Sequence, residues 1–282
     1  MRFEKWQALG NDYMIIERDA LDFELTPPRV RAICAPHFGC GADGILLLGP
    51  GGDAAHVAQL RIFNPDGSEA ELSGNGVREA VLYLRRAGWT GEDQFTIETA
   101  AGEIAPTLTG PGSASIAMGR ASTTSADFPT GDPDGRGMID VGGAQRAFQH
   151  VSIGNPQCAI ELTEGLEELD LDAVGPAIEV SELFPNRTNV SFWRLEETAE
   201  RRIRARIFER GVGETLSSGT GAIGAAIAAF LRGAPSPITV RLDGGELEVE
   251  IGEALDVRLT GTASPVFAGE LSPEFVAALE AL

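Results

Sequence analysis

Basic residues are scarce in this 282-residue sequence, which has 22 lysines and arginines against 42 aspartates and glutamates and a formal net charge of −20. Proteins that grip nucleic acid or an anionic membrane need a basic face, so neither partner is expected. Cysteine is also rare, with Cys34, Cys40 and Cys158 as the full set. Three cysteines in a chain of this length do not make a disulfide framework, which favours a reducing cytoplasm.

Long apolar runs are missing as well. No stretch approaches the roughly 18 to 20 consecutive apolar residues of a membrane span. Residues 1–6 lack the apolar region of a secretory signal. Apolar residues nevertheless make up 43% of the sequence, which is ample for a packed core. We therefore expect a cytoplasmic globular protein with one large domain or two ordinary ones.

The sequence contains an internal repeat. Residues 61–76 align without a gap on residues 206–221, and seven of the sixteen aligned positions are identical. Upstream, Gly10-Asn11 reappears as Gly154-Asn155 at nearly the same offset. Two matches in the same order indicate a duplicated unit, and the period is far too long for a solenoid. We therefore predict two similar domains that face each other.

Each copy has the same predicted local structure. Alternating residues at 58–63 and 203–208 indicate strands, and each strand leads through a turn to a small polar cluster. The clusters are residues 73–76 and 218–221, and a helical pattern begins at once after each. The second helix, at 222–231, is alanine-rich and nearly free of charge, so it is expected to be buried on most sides.

The remaining chain is rich in short β patterns, and residues 273–281 are predicted to form a terminal helix. The stretch 120–147 is dense in glycine, proline and small polar residues, and the domain crossover is expected there or at its start. The predicted fold class is α/β, of the α+β kind. The additional predicted strands are 13–17, 45–48, 95–98, 114–118, 158–162, 188–194, 238–242, 246–251 and 255–259. The predicted domains are 1–118 joined by 264–282, and 119–263.

A serine–glycine cluster that opens a helix is suited to binding an anion. The N–H groups of the first helical turn are unpaired, and the helix dipole favours negative charge. Two such clusters could hold one small carboxylate, with Ser73 and Ser218 facing its α-carbon from opposite sides. That arrangement suits proton removal on one face and return on the other. The alternative is that each serine is only an N-cap, which is favoured for either one alone but not for a symmetric pair.

Eight segments in a fixed order carry a resemblance to a known family. They are 9–12, 38–44, 63–71, 74–78, 154–156, 188–190, 209–215 and 219–222. With them the chain resembles the diaminopimelate epimerases, which are pyridoxal-independent amino-acid epimerases, from residue 3 to at least residue 260. The resemblance implies two pseudo-symmetric domains, each a β-barrel-like sheet around a central helix, with the active-site cleft between them.

The resemblance also implies an activity. Family members convert LL- to meso-diaminopimelate by α-proton removal and return, without a cofactor, in lysine and peptidoglycan precursor biosynthesis. They commonly form homodimers. Substrate contacts are implied at ten positions, of which Arg210 suits a carboxylate and Glu209 an ammonium group. The ten are Asn11, Asn64, Gly74, Asn75, Asn155, Asn189, Glu209, Arg210, Gly219 and Thr220. An asparagine in a turn has the alternative role of a local cap.

The chain departs from the family where the reaction takes place. The resemblance implies a cysteine at the first position of each cluster, but this sequence has Ser73 and Ser218. A helix N-terminus can lower a thiol pKa from about 8.5 to about 3.5–7.5, whereas an alkoxide is scarce without an adjacent base. The family usually has a histidine at the position of Gln157. Glu209 is the nearest retained carboxylate and a candidate base for one side only.

The main prediction is a diaminopimelate epimerase-type enzyme with Ser73 and Ser218 at the acid/base positions. One alternative is a form disabled at both cysteines, by engineering or by drift, that still binds diaminopimelate. Another is a paralogous isomerase or hydro-lyase on a related amino acid. The last is a non-catalytic amino-acid-binding protein. The retained contacts favour diaminopimelate or a close mimic in every case.

The remaining cysteines and histidines carry weaker signals. Cys34, His37 and Cys40 follow a metal-like spacing, but they lack the second half of a structural zinc site, so no metal is predicted. Cys158 is expected to be inert core packing. The other two histidines, His56 and His150, have no evident partners in the sequence and are expected to lie at the surface.

Overall fold

The structure, a computed structural model, describes residues 1–196 and 199–282. Within them lie five α-helices, a short 3-10 helix at Arg18–Ala20 and nineteen strands. The helices are α1 (Pro27–Cys34), α2 (Gly74–Arg86), α3 (Leu171–Glu179), α4 (Gly219–Phe230) and α5 (Pro273–Glu280). The strands are β1 (Arg2–Ala8), β2 (Asn11–Glu17), β3 (Ile45–Pro50), β4 (Ala58–Phe63), β5 (Glu69–Ala70), β6 (Ile97–Thr99), β7 (Gly102–Ile104), β8 (Thr107–Gly110), β9 (Ser113–Arg120), β10 (Arg136–Val141), β11 (Ala144–Ser152), β12 (Pro156–Glu161), β13 (Asn189–Glu196), β14 (Ala199–Glu209), β15 (Gly213–Thr215), β16 (Ile238–Arg241), β17 (Glu246–Ile251), β18 (Asp256–Thr262) and β19 (Ser264–Glu270).

The chain forms two compact units. The first comprises Met1–Ile116 together with Gly261–Leu282, and the second comprises Ala117–Thr260. The domains expected from the sequence are 1–118 with 264–282, and 119–263. As independently folding domains they stay a prediction. Among the described residues, none of the helices is both long and apolar enough to cross a membrane.

The first unit is built on a mixed sheet in the order β19-β1-β2-β3-β4-β6-β7, with β5 paired to β4. The central strands β2 and β3 run parallel, and the apolar residues at 14–16 and 45–48 where they pair are buried, as expected for strands covered on both faces. Helix α2 has an apolar stripe of Val77, Ala80, Val81 and Leu84, all of which are buried. Helices α1 and α5 contribute to an apolar cluster of the same unit.

The second unit contains a sheet in the order β10-β11-β12-β13-β14-β16-β17-β18, with β15 paired to β14. Helix α4 packs against several of these strands, and every residue from Gly221 to Ala229 is buried. The prediction that this charge-free helix lies inside the unit is therefore confirmed. Helix α3 joins a separate cluster rich in phenylalanine.

The mixed α/β class with two sheets is confirmed, whereas three local features were not predicted from the sequence. The stretch 120–147, at which the domain crossover was expected, also contains β10 and the beginning of β11, which form a hairpin. The sequence did not predict α1 or α3. Helix α1 starts with two prolines, and α3 contains Gly175 and Pro176, which normally interrupt a helix. Tertiary packing overrides these local signals, since a Cβ at Gly175 would lie 2.5 Å from the Phe208 ring.

Gly44, just before β3, is required by close packing. A Cβ placed there would lie 2.3 Å from the Phe63 carbonyl oxygen and 2.7 Å from Cε1 of Tyr13. We expect Gly44→Ala to lower the free energy of unfolding by about 1–3 kcal/mol, because the backbone must shift to admit the methyl group. Urea unfolding measures the change. Gly91→Ala, where nothing lies within 4 Å, is the control and should change it by under ~1 kcal/mol. An equal effect of both changes would contradict the prediction.

Candidate active site

Ser73 begins helix α2 as its N-cap. The cluster Ser73–Gly76 is called the first serine cap. The Ser73 backbone is extended (φ −136°, ψ 118°), and its Oγ accepts a hydrogen bond from the Gly76 N–H at 3.1 Å. The N–H groups of Gly74 and Asn75 belong to the first helical turn, which has no intrahelical acceptors for them. Ser73 is therefore an N-cap, and the N–H groups of this helix end are also suited to binding an anion.

A tyrosine contacts this cap from strand β2. Tyr13 is buried, and its hydroxyl donates a hydrogen bond to Ser73 Oγ at 3.2 Å. The Ser73 oxygen thus accepts hydrogen bonds from both the Tyr13 hydroxyl and the Gly76 N–H. Hydrogen-bond donors aimed at an oxygen stabilise negative charge on it. Because Tyr13 lies 60 positions away in sequence, no local pattern pointed to it.

Ser218 begins helix α4 with nearly the same geometry. The cluster Ser218–Gly221 is called the second serine cap. The Ser218 backbone has φ −138° and ψ 121°, and its Oγ accepts a hydrogen bond from the Gly221 N–H at 3.3 Å. The two serines therefore match in backbone conformation to within a few degrees. This agreement supports the internal repeat found in the sequence.

The second serine cap has a carboxylate as its neighbour. The Ser218 hydroxyl donates to Glu209 Oε2 at 3.0 Å, and the Thr215 hydroxyl donates to Glu209 Oε1 at 2.7 Å. Burial raises the pKa of the Glu209 carboxyl above its ordinary value, and these two hydrogen bonds partly offset that rise. A carboxylate with a raised pKa takes up a proton more readily. The Ser218 hydroxyl thus donates to this carboxylate, and the role of Glu209 as a base for one side stays a prediction.

The strands before the two caps repeat the same ion pair. In the first unit, Arg61 Nε lies 2.8 Å from Glu69 Oε1 across the β4–β5 hairpin. In the second unit, Arg206 Nε lies 2.8 Å from Glu214 Oε1 across the β14–β15 hairpin. Both pairs come from the aligned stretches 61–76 and 206–221. The duplication is thus visible in side-chain contacts as well as in sequence.

The predicted ligands of the first unit divide into two groups. Asn11 and Asn75 lie together at the first serine cap, where Asn75 Nδ2 donates to Asn11 Oδ1 at 3.2 Å. Asn11 Nδ2 in turn donates to Asp43 Oδ2 at 2.8 Å. Asn64 instead donates from Nδ2 to Ser68 Oγ at 3.0 Å within its own turn. Its contact fits the local role that was the alternative for each asparagine.

In the second unit, Asn155 and Thr220 meet at the second serine cap. Asn155 Nδ2 donates to Thr220 Oγ1 at 3.3 Å, and Asn155 Oδ1 accepts from Gln157 Nε2 at 2.7 Å. Gln157 is fully buried, and among the described residues its Oε1 has no hydrogen-bond partner. The amide at this position thus orients Asn155 but carries no titratable proton.

Asn189 and Arg210 contact each other in the second unit. Asn189 is buried, donates to the Pro156 carbonyl at 3.1 Å and accepts from the Arg210 N–H at 2.8 Å. Its amide therefore braces the backbone. The Arg210 side chain is exposed, and one guanidinium nitrogen donates to the Asn186 carbonyl at 2.9 Å. Its remaining N–H groups suit a carboxylate ligand.

Two buried charged side chains in α2 were missed in the sequence. Arg78 and Glu79 are both fully buried, one turn beyond the first serine cap. Arg78 Nη2 donates to Asn75 Oδ1 at 2.5 Å. The Tyr13 N–H lies near the Glu79 carboxyl, but no hydrogen bond of ordinary geometry reaches either oxygen from the described residues. Burial raises the pKa of Glu79 to about 9, so its carboxyl group is protonated at neutral pH. The available signal in the sequence was that Arg78 and Glu79 stand next to each other between the apolar positions 77 and 80.

The thiols fit structural roles. Burial raises the pKa of Cys34 to about 12 and also raises that of Cys158, so both remain protonated thiols. Cys158 is fully buried, which confirms its predicted place in the core. Cys40 is half-buried and His37 is exposed. No three His, Cys, Asp or Glu side chains are arranged to hold a metal ion in the described part of the chain.

The expectation that His150 lies at the surface is wrong, and so is the expectation that His56 and His150 lack partners. His150 is fully buried on β11, with its Nε2 2.9 Å from Ser125 Oγ. Burial lowers its pKa, which keeps the ring neutral. His56 is half-buried, with Nδ1 2.7 Å from Asp53 and Nε2 3.0 Å from Glu103. Ser125 and Glu103 come from distant segments that the local sequence does not reveal, whereas Asp53 lies only three positions before His56.

The sequence comparisons point to one family. The family model described as diaminopimelate epimerase matches residues 3–124 and 149–266. The diaminopimelate epimerase of Synechococcus sp. (strain JA-3-3Ab) is 41% identical over 280 residues, which cover 95% of this chain and 97% of the relative. Diaminopimelate epimerase 2 of Nostoc sp. (strain PCC 7120) is 39% identical over 282 residues, covering 98% of each chain.

Solved structures share the fold at low identity. A PhzC/PhzF phenazine biosynthesis protein from Clostridium difficile (strain 630) has a TM-score of 0.70 at 12% identity, covering 96% of this chain and 99% of its own. A hydroxyproline epimerase from Agrobacterium vitis has a TM-score of 0.68 at 15% identity, covering 98% and 94%. These two show the fold alone. The family follows from the family model and the near full-length relatives: the chain belongs to the diaminopimelate epimerase family, whose members are isomerases.

Proposed function

We propose that the chain interconverts LL- and meso-diaminopimelate by removing and returning the α-proton, with Ser73 and Ser218 at the acid/base positions. The observation that carries the proposal is the near full-length match to diaminopimelate epimerases. It is joined by a matched pair of serine-capped helix N-termini. The N–H groups there can bind the reacting carboxylate and stabilise the charge that develops on it.

The proposed contacts follow the predicted ligand set. The backbone N–H groups of Gly74, Asn75, Gly219 and Thr220 would hold the reacting carboxylate. Asn11, Asn155 and Arg210 would contact the remaining polar groups of the substrate. Asn64 and Asn189 would act chiefly by shaping the loops, because their amides are bonded within the protein.

The finer architectural expectations belong to the same proposal. Each sheet would wrap in a barrel-like way around its helix, α2 in one unit and α4 in the other. The enzyme would act without a cofactor, as a homodimer in the cytoplasm, in the biosynthesis of lysine and peptidoglycan precursors.

A second candidate function is binding of diaminopimelate without turnover. The observation in its favour is that hydroxyl groups stand where the family resemblance implies thiols, and a hydroxyl is a weak acid. The amide of Gln157, at a position where the resemblance implies a histidine, points the same way. Both functions use the same contacts and differ only in proton transfer.

Proton NMR of LL-diaminopimelate with the protein in D2O separates the two. We expect loss of the α-proton signal together with appearance of the meso isomer. Line broadening that shows binding, without loss of the signal, would establish the binder and overturn the epimerase. An olefinic or keto product would instead indicate a lyase. Failure to bind or change the compound would exclude diaminopimelate as the ligand.

A further inference from the structure

The two serines have partners of opposite kinds. Ser73 Oγ accepts hydrogen bonds from the Tyr13 hydroxyl at 3.2 Å and the Gly76 N–H at 3.1 Å. The Ser218 hydroxyl instead donates to Glu209 Oε2 at 3.0 Å. The first pattern stabilises an alkoxide on Ser73, and the second withdraws the proton from Ser218. Two caps that match in backbone conformation therefore differ in proton-transfer character.

We propose that Tyr13 is the proton partner of Ser73, as Glu209 is of Ser218, and that the serines pass protons between the substrate and these two side chains. The inference rests on the proposed function and adds an assignment of roles. Tyr13 does not touch the reacting carbon and acts through Ser73, so it is a positioning and proton-supplying residue. The pair Glu209–Ser218 removes a proton, and the pair Tyr13–Ser73 returns one.

The proton transfers balance. On one face, the α C–H bond breaks, its proton goes to Ser218 Oγ, and the Ser218 hydroxyl proton moves to Glu209. On the other face, the Ser73 hydroxyl proton bonds to the α-carbon, and the Tyr13 hydroxyl proton replaces it on Ser73. One turnover moves a net proton from Tyr13 to Glu209. The reverse reaction or exchange with water restores the starting state.

The surroundings hold Tyr13 in this role. Its ring packs where Gly44 leaves space, since a Cβ at Gly44 would lie 2.7 Å from ring atom Cε1. Tyr13 as a whole residue is 5% exposed, so bulk water does not replace the contact with Ser73. On the other side, Thr215 fixes Glu209 through a 2.7 Å hydrogen bond. Each proton partner is thus oriented by a separate neighbour.

The test uses Tyr13→Phe and Glu209→Gln in the full chain, with α-proton exchange in D2O followed separately for LL- and meso-diaminopimelate. Each isomer presents its α-proton to one face. Tyr13→Phe is expected to slow exchange of one isomer by about 100-fold, while the other isomer exchanges with retained configuration. Glu209→Gln is expected to show the opposite preference. KM for diaminopimelate should change by less than about twofold for Tyr13→Phe, because only a proton step is affected.

Tyr83→Phe is the matched control, because Tyr83 is the other tyrosine of the sequence, is also buried, and donates to Glu17 instead of to a cap. A second test is Tyr13→Phe in a Ser73→Cys background, where the thiol ionises without help and the loss should shrink to under about threefold. Thermal unfolding checks that each variant is folded. If Tyr13→Phe does not fold, Glu209→Gln still tests the Glu209–Ser218 half of the proposal.

The outcomes are distinct. Equal slowing of both isomers by Tyr13→Phe, or no change in an active chain, would overturn this inference and leave the proposed function standing. Activity in a chain with cysteine at both caps, but none in the unchanged chain, would overturn the serine relay. Inactivity of both proteins would overturn the proposed function together with the relay.

Discussion

Cysteine at both caps, introduced by Ser73→Cys and Ser218→Cys together, is expected to raise the rate of diaminopimelate epimerisation by about 10²- to 10⁴-fold. The Oγ atoms already lie at helix N-termini, where they accept the Gly76 and Gly221 N–H groups. A thiol in that position has its pKa lowered toward neutrality, whereas a hydroxyl needs an adjacent base. The rate is measured by conversion of LL- to meso-diaminopimelate.

The single variants sharpen this prediction. Each thiol should speed exchange mainly for the isomer whose proton it faces, so the two changes together should exceed either alone. Ser272→Cys is the control, because Ser272 caps α5 through the Phe275 N–H but belongs to neither serine cap. A double variant no faster than the unchanged chain would show that proton transfer does not limit the reaction at these positions.

Replacing Glu79 with glutamine should stabilise the protein, and increasingly so as the pH rises. In the folded chain, burial raises the pKa of this carboxyl to about 9 from an ordinary value of 4.5. When an acid has a higher pKa in the folded than in the unfolded protein, the free energy of unfolding falls as the pH rises from the unfolded to the folded pKa. At pH 7 the difference amounts to about 3 kcal/mol, since each pH unit above 4.5 costs about 1.4 kcal/mol. Glutamine keeps the shape and removes the charge.

Urea unfolding at several pH values measures the effect. The two proteins should be nearly equal in stability close to pH 4.5 and diverge steadily up to pH 9. Glu92→Gln, at an exposed loop position, is the control and should change the free energy of unfolding by less than ~0.5 kcal/mol. A constant offset between unchanged protein and Glu79→Gln at all pH values would mean that Glu79 is not a protonated buried acid.

The sequence predicted the parts of the site that depend on local pattern. Alternating strands, serine–glycine clusters and the repeat at 61–76 and 206–221 led to α2, α4 and their caps. Glu209 was assigned through the family resemblance of segment 209–215, and in the structure it lies nine positions from Ser218, on the hairpin that precedes the cap.

What local pattern could not supply were contacts over long separations in the chain. The hydroxyl of Tyr13 reaches Ser73 only because β2 and α2 pack together. The partners of His150 depend on the pairing of distant segments in the same way. Helix α3 shows the other limit, since packing of Gly175 against Phe208 holds a helix where composition predicted none.

The last residues of the chain belong to the first unit, and this has a consequence for folding during translation. Strand β19 completes the sheet of that unit by pairing with β1, yet it is made only when residues 264–270 leave the ribosome. Until then the nascent chain carries β1 as an open sheet edge, which is a template for misassembly. The second unit, a continuous stretch, has no such delay. Synthesis therefore favours a folding order in which the later-made unit is finished first, and the ends of the chain close last.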